Sequence, residues 1–457
     1  MRTKKLQLLA MFFLAATVVF ANGKQDTVDQ TGKTTPAATS TPGATTTKAE
    51  PVSIRVVWWG DAKRHELYNK ICDAFTAANP TITLVREPIS WADYWDKLSV
   101  QTAGGTAPDF MGMHPQYAND YVARKSLEPL DGYVKDGTLN LSQFSKSAID
   151  SGVFAGVNFM VPMGITSQAF LVNKTFLTDV KVAMPTFDWT YADLKTAAAA
   201  ARVALDSAGK KDTWLINDNT TNYTLFRYWV RSAGHDLYKP DGTLGFTEED
   251  LTTWFTYWKS LRDAKLVPDA ATTIEYKTAT LEMNTFAKGM TGIINIPVNQ
   301  YGLYKAALPN AELVALRNPS KAAGKIGEFL EGAHFAVSAS SPANKKVAAV
   351  KLLNFWVNNE KSYDLFKLDQ GVPANAKMAT YITPTLNDNQ KIILDFVSKV
   401  SKLTMIPAVY APAGATEVDS LFRVNVGEKV LFGTLTPEAA AKQIMTEGAA
   451  ILLKNKK

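Results

Sequence analysis

An α/β fold, with mainly parallel sheets flanked by helices, is what this sequence predicts, and three observations predict it. Short apolar runs alternate with segments of helical periodicity once the first fifty residues are passed. The composition is globular, at 46% apolar and 20% charged. A chain of 457 residues is also too long for one ordinary domain and suits two.

Taken in order, the chain opens with Arg2, Lys4 and Lys5 before an uninterrupted apolar run from Leu8 to Phe20. Val19-Phe20-Ala21 supplies small or modest residues at the positions a signal peptidase reads, so residues 1–21 are expected to be a signal peptide cut after Ala21. The alternative is a retained anchor, but the run is shorter than the ~20 residues a bilayer requires. Removing Arg2, Lys4 and Lys5 lowers the formal charge from +6 to +3, and with it any strong basic balance that would call for nucleic acid. Cys72 is the only cysteine, so no internal disulfide forms, and no cysteine lies beside the cleavage site to carry a lipid. A freely diffusing periplasmic protein is the expectation.

Residues 22–50 are Thr, Ala, Pro, Gly and Ser with almost nothing bulky, and they are expected to be a disordered linker because they bury too little to offset ordering. From Ile54 to Trp59 the chain reads as a buried strand. Leu67, Ile71, Ala74, Phe75 and Ala78 recur at helical spacing until Asn79-Pro80, and Ile82 to Val85 is a second strand. Ser90 is placed to cap a helix that ends at Gly104-Gly105, and Asp109 to Met113 is a third strand. A βαβαβ order predicts a parallel sheet whose ligands bind beyond the carboxyl ends of the strands. Further on, Phe159 to Val172 is an apolar crossing; helices are expected at 191–205, 223–233, 248–264 and 347–357, a buried strand at 290–296, and a second crossing at 332–338. There is no internal repeat.

Five stretches in sequence order resemble the family 1 extracellular solute-binding proteins, the sugar receptors of bacterial ABC importers and relatives of maltodextrin-binding protein. They are AFTAANPTITL, KLSVQTAGGTAPDFMGM with SLEPLDGYV, VPMGITSQAFLVNKTFL, FAKGMTGIINIP, and GAHFAVSASSPANKKVAAVKLLNFW. The resemblance runs from about Val52 to the C terminus. It implies a two-lobe periplasmic-binding-protein fold, with one lobe at 51–164 plus 333–375, the other at 165–332 plus 376–457, and hinges at 161–167 and 332–335. It also implies that a monomeric receptor captures a carbohydrate by lobe closure and delivers it to the permease subunits of an importer.

A sugar offers hydroxyls that need directional hydrogen bonds and C–H faces that suit flat rings. Sheltering ~80 Å² of ring and sugar face at ~25 cal/mol per Å² is worth roughly 2 kcal/mol, so two or three rings suffice. The expected contacts are Trp59, Gly60, Asp61 and Arg64 after the first strand; His114, Gln116 and Tyr117 after the third; Tyr223; Asn295 and Pro297; Gly332 at the crossing; and Tyr410 in IPAVYAPAG. Each has a plainer reading. Trp58 reads as core and Trp59 as platform, Asp61 as a helix cap or a ligand, and His114 as a turn residue or a binder; Trp229, Trp254 and Trp258 read as packing, and Trp91 as an outside candidate for the cleft rim. Where relatives that bind linear maltodextrins carry several charges after the PDF strand, this chain has His114, Pro115 and Gln116.

Nothing nominates catalysis or a cofactor. His65, His114, His235 and His334 stand in unrelated contexts without metal-ligand spacing, and no phosphate loop, dinucleotide fingerprint or nucleophile elbow occurs. Glu248-Glu249-Asp250 after Thr247 reads as the acidic first turn of a helix. The competing expectations are a secreted carbohydrate hydrolase, which would need paired carboxylates, a non-catalytic adhesin, and a receptor for a cationic solute such as a polyamine.

Overall fold

The structure, a computed structural model, describes residues 50–456 apart from Thr278, Thr404 and Pro407. The expected signal peptide and residues 22–49 of the expected linker lie outside the described residues. The first sheet begins with β1 (Val52–Trp59), α1 (Ala62–Ala78), β2 (Ile82–Ile89), α2 (Trp91–Ala103), β3 (Phe110–Met113) and α3 (Pro115–Ala123). The first five are the elements that periodicity predicts, and both predicted helices start from a local cap: Asp61 accepts the Arg64 amide at α1, and Ser90 accepts the Asp93 amide at α2. On α1, Tyr68, Ile71, Cys72 and Phe75 are buried on the inward stripe. Burial pushes the Cys72 thiol up to about 12.

The chain then supplies β4 (Met160–Pro162), β5 (Gln168–Asn173), α4 (Tyr191–Ser207), β6 (Trp214–Ile216), α5 (Tyr223–Arg231), α6 (Glu248–Asp263), β7 (Thr291–Pro297), β8 (Leu313–Leu316) and β9 (His334–Val337). It ends with α7 (Ala343–Asn358), α8 (Asp388–Ser401), α9 (Ala415–Ser420) and α10 (Pro437–Asn455). The first sheet has the order β2-β1-β3-β9-β4 and the second β8-β5-β7-β6. Successive residues of β5 face opposite sides: Ala169 and Leu171 join one apolar cluster, Phe170 and Val172 the other. One cluster runs beneath the first sheet and on to α8, and the second is closed by α4 to α6 and α10.

The two-lobed α/β class holds, but the expected parallel majority does not. β1 pairs in parallel with β2 and β3, whereas β9 runs against both β3 and β4, and β5 runs against β7 and β8. The register gives the reason. His334, the first residue of β9, pairs with Met113, the last of β3. A strand arriving directly from the other lobe enters where the parallel strands leave, and so must run against them.

Three segments pass side by side between the sheets. Thr166 bridges Glu331, and Gly164-Ile165 pairs with Val372-Pro373. The approach is so close that a Cβ on Gly332 would lie 1.9 Å from the Gly164 carbonyl oxygen. Glycine is therefore needed at Gly332 for backbone-to-backbone contact, whatever else it does.

Candidate functional site

Between the two sheets lies a cavity of about 620 Å³, within the roughly 300–1,000 Å³ usual for small-molecule sites. The first lobe contributes the start of α3 and the short helix Lys146–Asp150 with Ser151 behind it; the second contributes α5 and Phe329 to Gly332; the irregular segment 405–411, in which Pro407 is not described, closes one side. Of the expected contacts, His114, Gln116, Tyr223, Gly332 and Tyr410 line the cavity, while Trp59, Gly60, Asp61, Arg64, Tyr117, Asn295 and Pro297 do not.

His114 caps α3, its Nδ1 accepting the Gln116 amide at 3.3 Å. Burial holds its pKa below the usual histidine value, with Glu331 pulling up and Arg227 down. A neutral ring that accepts at Nδ1 carries its hydrogen on Nε2, so His114 retains a hydrogen-bond donor there. His334 is held more firmly. Its Nδ1 lies 2.9 Å from the Gly332 carbonyl and its Nε2 2.7 Å from the Ser151 hydroxyl, and burial brings its pKa to about 3.

On α5, Tyr223 and Arg227 stand one turn apart on the cavity face. Tyr223 shares a hydroxyl contact of 3.1 Å with Tyr238. Arg227 grips Asp236 through Nε and Nη2, also donates from Nη2 to the Val409 carbonyl, and lies 4.1 Å over the Phe329 ring. Despite burial, Asp236 and Glu331 raise its pKa. Arg231 binds the same Asp236 and reaches the Ile406 carbonyl, so one buried carboxylate and two guanidinium groups hold segment 405–411 against the second lobe. Glu331 accepts from the Gln168 amide at 3.1 Å. Tyr410 donates to the Asp150 carbonyl at 3.0 Å, tying the same segment to the first lobe.

The lobes also touch beyond the cavity. Asn119 donates to the Ala411 carbonyl, and the Asp120 carboxylate accepts from the Gly414 amide and the Thr416 hydroxyl at the start of α9. The two halves are thus drawn together around the enclosed space.

The expected residues outside the lining have other work. Trp59 is only 6% exposed, wedged between Trp91, Tyr94 and Trp95 at 5.1 to 5.6 Å, above Gly112, where a Cβ would fall 2.8 Å from its ring. It supports other rings and presents no free face. Trp58 is core, its indole N–H donating to His65. Gly60 leaves room for the Arg64 side chain, and Asp61 caps α1. Arg64 pairs with Asp369 at 2.7 Å, which outweighs burial and raises its pKa. Tyr117 stacks on Trp95 at 3.9 Å, and burial raises its pKa to about 12. Asn295 binds Asn318, and Pro297 ends β7 opposite Gln168.

The lining residues Arg227, Phe329, Glu331 and His334 were not among the sequence candidates. The four-residue step from Tyr223 would have pointed to Arg227, and Glu331 and His334 flank the crossing at Gly332. Phe329 carries no local signal. Among the described residues, no cluster of three or more His, Cys, Asp or Glu is arranged to hold a metal ion, and no helix is long and apolar enough to cross a membrane.

Two α/β lobes joined by three crossing segments around a shared cavity define a bilobal ligand-binding protein. Residues 70–392 match the model of the bacterial extracellular solute-binding proteins, and the chain belongs to that family. It is 22% identical over 397 residues to a Brucella abortus (strain 2308) protein named as a binding protein, covering 86% of this chain and 91% of that one. Its fold is similar to that of a periplasmic oligogalacturonide binding protein from Yersinia enterocolitica in complex with saturated digalacturonic acid, with a TM-score of 0.77, 19% identity and coverage of 89% of this chain and all of that one. An ABC substrate-binding protein from Listeria monocytogenes, in complex with cycloalternan, gives a TM-score of 0.72 at 21% identity, covering 89% of this chain and all of that one.

Proposed function

We propose that this extracellular solute-binding protein is a periplasmic carbohydrate receptor, acting as a monomer, which closes its two lobes on an uncharged sugar and delivers it to an ABC importer. The observation that carries this reading is the interlobe cavity. Its lining combines flat or apolar groups such as Phe329, Tyr223 and Val409 with directional groups such as His114, Gln116, Arg227 and Glu331. Rings match sugar C–H faces, and a donor beside a carboxylate matches adjacent hydroxyls. Closure follows as a population shift, because contacts to both walls exist only when the lobes meet. The ligands named for the two solved relatives add support for the carbohydrate class from proteins of similar fold, whereas the choice of an uncharged guest rests on this cavity's own lining, since digalacturonic acid carries carboxylates.

The charges lining the cavity favour an uncharged guest. Glu331 is its one lining carboxylate among the described residues, and Arg227 is the one lining guanidinium. A polyamine would call for several carboxylates, and glycoside hydrolysis for a pair of them about 5 to 9.5 Å apart. A thermal-shift screen of mono- and oligosaccharides, with polyamines and sugar phosphates as controls, tests the reading. Stabilisation by neutral sugars alone, with no product after incubation, is the expected result; stabilisation by polyamines alone, or release of cleaved sugar, would overturn it.

A further inference from the structure

The aromatic cluster at the tips of β1 and β2 is one ring removed from the cavity. His114 lines the cavity, and its ring centre lies 6.1 Å from that of Trp91, the first residue of α2. Trp91 is 45% exposed, yet it is not loose: Trp59 and Trp95 meet it edge-on at 5.2 and 5.5 Å, and Tyr117 lies at 6.4 Å. Most exposed tryptophans could fold back onto the surface, but this one is held outward by the rings beneath it. Polar capacity lies alongside. The Gly60 amide donates to the Ile89 carbonyl, so the loop carrying Asp61 and the start of α2 leave the same end of the sheet. Asp61 is exposed and uses one carboxylate oxygen as the α1 cap, while the other has no hydrogen-bond partner among the described residues.

We propose that Trp91, fixed by Trp59, Trp95 and Tyr117 and with Asp61 on the neighbouring loop, is an outer subsite that stacks a further pyranose ring of an oligosaccharide whose inner end occupies the cavity. The proposal rests on the carbohydrate reading of the cavity. An indole face buried against a sugar face loses its unfavourable hydration, and Asp61 accepts from an outer hydroxyl. The tryptophan pair at the end of β1 then has a role at one remove: Trp59 is the footing on which the ligand-facing Trp91 stands.

Titration calorimetry on the exported chain, with gluco-, galacto- and xylo-oligosaccharide series of one to five units, tests this. Affinity is expected to rise with length in at least one series. Trp91→Ala should then lose about tenfold on the longer members and nothing on the shortest, while Trp91→Phe keeps most of the gain. An equal loss at every length, no loss at any length, or a wild-type chain that binds one unit as tightly as five would overturn the outer subsite and leave the cavity reading standing. Absence of binding in all three series would overturn both.

Discussion

The two walls of the cavity are built from opposite materials. The first-lobe wall consists of strand ends and helix starts resting on close-packed rings, with His114 fixed by its own helix and Trp59 sealed above Gly112. Much of the second-lobe side is irregular chain, segment 405–411, held in place by Arg227 and Arg231 acting through Asp236. Apolar packing fixes a surface before any ligand arrives, whereas a polar clamp holds a loop only while every partner is present. The lobes therefore divide the labour: one offers a face fixed by packing and the other a segment fixed by a polar clamp.

Breaking the clamp should have the largest effect. Asp236→Ala leaves two buried guanidinium groups without their carboxylate and should cost about 3–5 kcal/mol in urea unfolding, with loss of ligand binding. A change below about 1 kcal/mol would mean that segment 405–411 is held by something else. On the opposite wall, Trp59→Ala should cost about 3 kcal/mol as a cavity opens beneath Trp91. That reverses what a ligand platform at Trp59 would imply, namely weaker binding with unchanged stability, and measuring both quantities on one variant separates the two roles.

The boundary between the walls should respond to pH. His334 has its pKa lowered from 6.5 to about 3 in the folded protein, so the unfolded chain takes up a proton first as pH falls. Its contribution to stability is complete above about 6.5 and declines toward 3, at up to about 1.4 kcal/mol per pH unit. His334→Gln should flatten that part of the urea-midpoint profile; an unchanged slope would remove His334 as its source. The smallest effect is expected at the outer lobe contact. Asp120→Ala removes the link to Gly414 and Thr416 and should shift the balance toward an open form by about 1 kcal/mol, read as a longer interlobe distance in small-angle scattering without added ligand.

Local signals made the first sheet readable. The α1 stripe, the Ser90 cap and the β3 tip that presents His114 and Gln116 are all written within a few consecutive residues. Trp59 was misread because the space it fills is made by Gly112 on another strand. The antiparallel direction of β9 depends on where the chain returns from, which periodicity does not encode. β6, β8, α8 and α10 passed unnoticed, and segment 405–411 has neither a helical nor a strand period to betray it. Its anchors on α5 lie far away in sequence, and they act through carbonyl groups that every residue possesses.

Cys72 carries a practical consequence. It is the chain's sole sulfhydryl, wholly enclosed on the inward face of α1 and chemically quiet at neutral pH. A single cysteine engineered on the exposed tip of either lobe would therefore take a maleimide dye alone, turning the receptor into a fluorescent reporter of its own guest without first deleting a native thiol.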